Sequence, residues 1–351
     1  MRAAALALLV SALLSAMAFA ESERSAEPAP RVHGESFVRG VALGLFASDS
    51  HWDYGPLVTE IASRGATDVL VVVNAYQSNR FASNIRRVAG KSPTDATVAR
   101  TLRQVRQAGM RAALMPVVRL DERAPHEWRG VISPADGLDA WFAAYRNLVL
   151  PLARLAAAEH AHRFVVGSEL SSLERYQAEW RATIGEVRRV FPGKLTYSAN
   201  WDHAYDVPFW DAVDEVGLSA YFPLSNSGAK AGADLARAWR GPRNEIQALA
   251  RRVRKPVLIT EIGYTSQSNA AARPWDDGVA GELDLGAQQR LYRGFCDAFT
   301  ETPSVSGFYV WNWFGFGGPR DPGFTPRGKP AATELAKCFA RKWSAPEIAG
   351  N

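Results

Sequence analysis

The chain has 351 residues, 47% hydrophobic and 22% charged, with a formal net charge of +5. That is enough apolar material for one large core, and no linker or composition shift marks a second domain. The arginines behind the positive balance (Arg100, Arg103, Arg106; Arg188, Arg189; Arg251, Arg252, Arg254) are scattered over predicted helix faces with no nucleic-acid motif, which excludes a nucleic-acid partner.

Arg2, the nearly uncharged run Ala3 to Phe19 and the small-x-small pattern Ala18-Phe19-Ala20 predict a secretory signal over residues 1–20, cut after Ala20. The alternative is a membrane anchor, disfavoured because the run is short and Ala-rich. No Cys follows the cleavage pattern, which argues against a lipoprotein. No other segment is long and apolar enough to span a bilayer, so the expectation is a protein without membrane association, secreted or periplasmic. Residues 21–36, rich in Pro, Ser and charge, predict a disordered lead-in. The domain is expected over 37–343, with a short tail at 344–351.

Eight apolar runs then recur: Val38–Phe46, Val69–Asn74, Ala112–Val118, Phe164–Gly167, Leu195–Ala199, Val216–Ala220, Val257–Thr260 and Gly307–Trp311. Each is too apolar to alternate and too short for a helix, which is the pattern of strands buried on both faces of a parallel sheet. Helix-period segments lie between them, at Leu57–Ser63, Thr97–Ala108, Leu138–Glu159, Leu173–Phe191, Leu235–Arg254, Gln288–Thr300 and Thr333–Arg341. The fifth unit is the weakest, with only Phe209–Val213. Eight strand–helix units with right-handed crossovers predict a single-domain α/β fold, a (β/α)8 TIM barrel. An open doubly wound sheet is disfavoured, because no Gly-rich phosphate loop follows the first strand.

Two of the runs end in a glutamate, Glu169 and Glu261. A carboxylate at the C-terminal end of a buried strand is costly unless solvated, paired or used, and in a barrel that end is the catalytic face. Two such glutamates on different strands are what glycoside hydrolysis requires, one as proton donor and one as nucleophile, with the carboxyls about 5–5.5 Å apart in a retaining enzyme. The alternative for either glutamate is a partner to a strand-end arginine such as Arg119. The residues that follow the runs suit a sugar pit of aromatic faces, amides and hydroxyls. The expected substrate-binding set is Trp52, Asn74, Tyr76, Arg119, Ser168, Asn200, Trp201, Tyr221, Tyr264, Trp275 and Trp311. Trp311 is expected to stack at the cleaved sugar, with Trp201 and Trp52 flanking it. A hydrogen bond from Tyr221 to Glu261 is expected to keep the nucleophile's pKa low.

No metal-binding motif and no Gly-x-Ser-x-Gly elbow is present, so neither metal nor cofactor is expected. Cys296 and Cys338 fall on the last two predicted helices, neighbours in a closed barrel, and either bridge or stay as two buried thiols.

At this point the residues resemble a known group. Val166-Gly167-Ser168-Glu169-Leu170 with Glu174-Arg175 and Glu179-Trp180-Arg181, Leu195 to Trp201 with Val207-Pro208-Phe209-Trp210-Asp211, Thr260-Glu261-Ile262-Gly263-Tyr264, Pro274-Trp275-Asp276 and the closing Gly323 to Ala331 are together similar to glycoside hydrolase family 113. The resemblance covers about residues 38 to 340. It implies a clan A retaining barrel with Glu169 as acid/base, Glu261 as nucleophile and β-1,4-mannan as substrate; separately, a monomer is expected. Ser168 departs from the wider clan, where an asparagine precedes the acid/base and bonds the sugar 2-hydroxyl; Asn200 or Ser168 is expected to make that contact here. The same residues leave open a non-catalytic carbohydrate-binding barrel, or an enzyme acting on the cell's own exopolysaccharide or envelope glycan.

Overall fold

The structure is a computed structural model that describes residues 36–125, 127–224, 235–276, 278 and 281–344. The expected signal segment, all but the last residue of the lead-in and all but the first of the tail lie outside the described residues.

Eight strands close into one parallel barrel in chain order: β1 (Val38–Gly44), β2 (Asp68–Gln77), β3 (Arg111–Leu120), β4 (Arg163–Ser168), β5 (Lys194–Asn200), β6 (Glu215–Ser219), β7 (Val257–Ile262) and β8 (Val305–Val310). Around them run α1 (Gly55–Ser63), α2 (Asp95–Gln107), α3 (Leu138–Ala158), α4 (Gln177–Val190), α5 (Leu235–Ala238), α6 (Arg240–Val253), α7 (Leu285–Phe299) and α8 (Pro330–Phe339). All eight apolar runs are strands of the barrel, and β8 pairs with β1 to close it. The compact unit holding the barrel is Phe37–Asn351.

Two expected helices are interrupted, each for a local reason. Leu173–Phe191 begins instead as a 3-10 turn, Ser171–Leu173, before α4. Leu235–Arg254 breaks at Trp239, which caps α6 while its ring is fully buried against Phe222, Phe295 and Phe299. Between β5 and β6 only a 3-10 turn forms, Trp210–Ala212. The carbonyls a helix would have satisfied there are taken by the Lys255 ammonium, which donates to Trp210 and Asp211, each at 2.9 Å.

A parallel barrel strand sends alternate side chains to the interior and to the helices. Ala42, Leu70, Val72, Met115, Val165 and Leu258 form the interior cluster. Their neighbours Leu43, Val71, Leu114, Val166 and Ile259 pack outward under the helices. At the N-terminal end the interior is polar. The guanidinium of Arg163, at the start of β4, is buried against the Glu215 carboxylate at the start of β6 and donates to the Tyr309 hydroxyl at 3.1 Å. Asp68, at the start of β2, is paired with Arg111 at 2.7 Å and accepts from Thr67 at 2.6 Å. Charges buried this deeply are tolerable only when paired, so the floor of the barrel is a closed ionic plug, and the open end is the C-terminal one.

Cys296 on α7 and Cys338 on α8 form a disulfide, with Cα atoms 5.9 Å apart and a sequence separation of 42. Loop-closure entropy makes such a bridge worth roughly 4 kcal/mol. Urea unfolding of the protein before and after reduction, or of a Cys296→Ala/Cys338→Ala double variant, is expected to show a loss of about that size; coincident unfolding curves would refute it.

Candidate active site

Both glutamates reach the barrel mouth through a break in the strand register. On β7, Leu258 faces in and Ile259 faces out. The Thr260 hydroxyl then lies 2.6 Å from that of Ser198, which also meets Ser219 at 3.1 Å. Because β6 separates β5 from β7, these hydroxyls can meet only inside the barrel. Glu261 should therefore face out, yet its Oε2 accepts a hydrogen bond from Tyr221 at 3.2 Å on the inner side, and Ile262 returns to the outer core. The pairing of β7 slips at this point against both β6 and β8. A bulge adds one residue and so permits two consecutive inward positions. On β4 the same device works in reverse. Val166 and Gly167 both lie on the helix side, where Tyr145 donates to the Val166 carbonyl at 2.8 Å, and Ser168 turns back in after the slip against β5. Gly167 is required there, since a Cβ would stand 2.8 Å from Trp180 and 2.9 Å from Tyr197.

Glu169 follows with a left-handed backbone, φ 52°. Its amide donates to the Ser198 carbonyl at 2.8 Å. Arg129, on the 3-10 turn Arg129–Val131 beyond β3, donates from Nε to the Ser168 carbonyl at 3.0 Å and pairs with Oε2 of Glu169. The arginine against this glutamate is thus Arg129, not the strand-end Arg119 that the sequence offers. Glu169 and Glu261 are 6% and 3% exposed. Burial, and next the charge of Glu169, push the Glu261 carboxyl up to about 8, against the pull of Arg129, the Tyr221 hydrogen bond and a weaker attraction from Ser168, whose hydroxyl lies outside good hydrogen-bond geometry. The expectation that Tyr221 keeps this pKa low is therefore corrected. The bond exists and acts in that direction, but desolvation and the neighbouring carboxylate outweigh it. The arrangement sets two buried carboxyls close enough for the charge of Glu169 to disfavour the ionised form of Glu261.

The other expected residues divide by placement. Asn74 and Tyr76 share the inward parity of Leu70 and Val72, and Tyr76 is paired in register with Arg119. Asn74 is buried with its Oδ1 unpartnered, Tyr76 is half-buried and Arg119 exposed. Asn200 ends β5 and donates to Asp202 at 2.7 Å. Trp201 packs on Phe222 and, further out, stacks with Trp275 at 6.5 Å. Trp275 is half open to solvent. Trp311 follows β8 and packs against Phe46, while Trp52 packs edge-on against Tyr54 and next to Phe314. Tyr264 is elsewhere: it is fully buried, edge-on to Tyr292 of α7, on the helix side of the barrel and away from the mouth. Two positions past Ile262, it shares that residue's outward parity, which the bulge has reset. Two neighbours of Glu169 were not legible as site residues, Arg129 and Glu174. Arg129 sits in an irregular loop without a periodic signal. Glu174 is buried one turn beyond Glu169, and burial together with the charges of Glu169, Asp202 and Asp206 raises its pKa to about 7 despite a hydrogen bond from Tyr197. Among the described residues no group of three or more His, Cys, Asp or Glu side chains is placed to hold a metal ion.

The profile of Glycoside Hydrolase Family 113 matches residues 53–316. Among solved structures, a GH113 β-mannanase from Alicyclobacillus acidocaldarius is 26% identical, with a TM-score of 0.78 over 87% of this chain and 97% of the other. A GH113 β-1,4-mannanase superposes with a TM-score of 0.79 at 23% identity, over 87% and 100%. A GH5_18 protein from Streptomyces cattleya, in complex with Manβ1-4GlcNAc, shares the fold at TM-score 0.59 and 13% identity, over 88% and 83%. No curated protein matches the sequence.

The raised Glu261 pKa sets a pH dependence of stability. An unfolded glutamate loses its proton near 4.5, the folded one near 8, so between these values the native state binds a proton that the unfolded state has released, and stability falls as pH rises. Glu261→Gln keeps the shape and removes the charge. Its melting temperature is expected to exceed that of the wild type at pH 8 and to lose the advantage by about pH 4, with a slope of at most about 1.4 kcal/mol per pH unit. Thermal melts of both proteins across this range check it; parallel curves would overturn it.

Proposed function

Because the chain belongs to glycoside hydrolase family 113, and is therefore a glycoside hydrolase, we propose that it cleaves β-1,4-mannosidic links with retention, by double displacement. The observation that carries this reading is the pair of buried glutamates at the ends of β4 and β7, with the Tyr221 hydroxyl on Oε2 of Glu261 and the Arg129 guanidinium on Oε2 of Glu169. Double displacement needs one carboxyl of such a pair protonated and the other ionised. Glu261 as carboxylate attacks the anomeric carbon while protonated Glu169 gives its proton to the leaving oxygen; Glu169 as carboxylate then takes a proton from the water that releases the sugar from Glu261. Arg129 holds Oε2 of Glu169, which leaves Oε1 for the glycosidic oxygen. Burial favours the protonated form of Glu261, so ionising it for attack is a step that the incoming sugar has to drive.

The mannan preference is supported by the likeness to β-mannanases. The open aromatic edge Trp201–Trp275 suits sugar rings beyond the one cleaved, as an endo-acting enzyme requires, and Trp311 and Trp52 are the further ring faces proposed for the substrate. Asn74, with its unpartnered carbonyl oxygen, is a third candidate beside Ser168 and Asn200 for a sugar hydroxyl. Export in the secreted or periplasmic direction rests on the signal-like residues 1–20 and agrees with the disulfide, which persists in oxidising compartments. The enzyme is expected to act as a monomer on a glycan.

The test is product release from β-mannan, glucomannan, xylan and cellulose by wild type, Glu169→Ala and Glu261→Ala. Reducing ends are expected from mannan, with turnover lowered at least roughly 1,000-fold in either variant, and the first product is expected to keep the β-anomeric configuration by proton NMR. Inversion would overturn the double displacement; full activity in both variants would overturn the assignment of the pair.

A further inference from the structure

Glu174 is a buried carboxylate that the proposed reaction does not use. It ends the 3-10 turn Ser171–Leu173, and its Oε1 accepts a hydrogen bond from the Tyr197 hydroxyl at 2.8 Å. The same hydroxyl accepts from the Leu170 amide at 2.9 Å. Tyr197 stands on the helix side of β5, its ring edge-on to Trp180 and Phe209, so its hydroxyl has little freedom to move. The Leu170 amide is the peptide group immediately after Glu169, whose left-handed φ is unfavourable in a residue with a side chain and persists only where its surroundings hold it. Three contacts do so: the Glu169 amide on the Ser198 carbonyl, Arg129 on the Ser168 carbonyl, and Tyr197 on the Leu170 amide. The third depends on Glu174. A tyrosine hydroxyl has one proton to give, and only when that proton is committed to an acceptor does its oxygen settle toward the N–H.

We propose that Glu174 is a positioning residue that acts through Tyr197 and the Leu170 amide to hold Glu169 in the orientation from which it donates its proton. The inference rests on reading Glu169 as the acid/base. The groups facing Glu174 are Tyr197 from β5, Glu169 from the end of β4, and Asp202, Asp206 and His203 from the loop after β5, with the His203 Nδ1 at 3.8 Å from Oε2.

The test compares kcat/KM on β-mannan, whose leaving oxygen needs a proton, with kcat/KM on a dinitrophenyl β-mannobioside, whose phenolate leaves without one. Wild type, Glu169→Ala, Glu174→Ala, Glu174→Gln and Tyr197→Phe are measured, each after a melting curve. Glu174→Ala and Tyr197→Phe are expected to lose about 10- to 100-fold on mannan, the scale of a misplaced catalytic group, and to stay within about threefold of wild type on the activated glycoside. Glu174→Gln, whose amide oxygen still accepts the Tyr197 proton, is expected to recover most of the mannan activity. Should Glu174→Ala fail to fold, Tyr197→Phe and Glu174→Gln carry the comparison. Equal losses on the two substrates, or no loss on either, overturn the positioning role. If Glu169→Ala itself shows no dependence on the leaving group, the acid/base reading falls and this inference with it; if it does while the Glu174 and Tyr197 variants do not, only the inference falls.

Discussion

A closed parallel barrel admits only every second side chain of each strand to its interior, and the candidate active site depends on breaking that rule twice. On β7 the slip lets Thr260 and Glu261 face inward in succession; on β4 it lets Val166 and Gly167 face outward in succession before Ser168 returns. Without the first, Glu261 would point into the helix layer, where nothing offsets its charge. The second brings β4 to its end at the position where Glu169 leaves the strand beside Ser198. Close packing outside the barrel sustains it, since Trp180 and Tyr197 leave no room for a side chain on Gly167.

The electrostatics follow from what the bulges bring together. Glu169, Glu261 and Glu174 are all buried, the charge of Glu169 bears on each of the other two, and Arg129 is the cation paired with Glu169. Burial and that charge make Glu261 and Glu174 keep their protons to higher pH than isolated glutamates would. The floor of the barrel takes the opposite course. Arg163 with Glu215 and Arg111 with Asp68 match charge for charge, and the Tyr309 hydroxyl adds a further bond. A matched plug at one end and an unmatched cluster at the other make the mouth the place where an incoming polar ligand finds groups ready to exchange a proton.

Much of the fold was legible because it is written in apolar runs. Eight such runs separated by helix-period segments leave few ways to bury both faces of each strand, and the weakest segment, Phe209–Val213, is where a 3-10 turn replaces a helix. Glu169 and Glu261 were legible for the same reason, as charges that interrupt buried strands near their ends. Tyr264 followed the same pattern and yet lies in the outer core, because the bulge before it resets which side of the chain faces in. Arg129 and Glu174 lie in short irregular turns, where no period tells which side chains converge.

The sequence by itself determined the number and order of strands, the end of the barrel at which polar groups gather, the two carboxylates there and, through its motifs, the family. These depend on local hydrophobicity and on charges that burial would penalise, both of which are properties of short stretches of chain. Only the tertiary structure decided which residues face each other: the register slips, the Arg129 partner of Glu169, the Tyr197 link to Glu174, and the rise rather than fall of the Glu261 pKa. Those depend on distances between residues remote in sequence and on how completely water is removed from between them, and no stretch of chain carries either quantity.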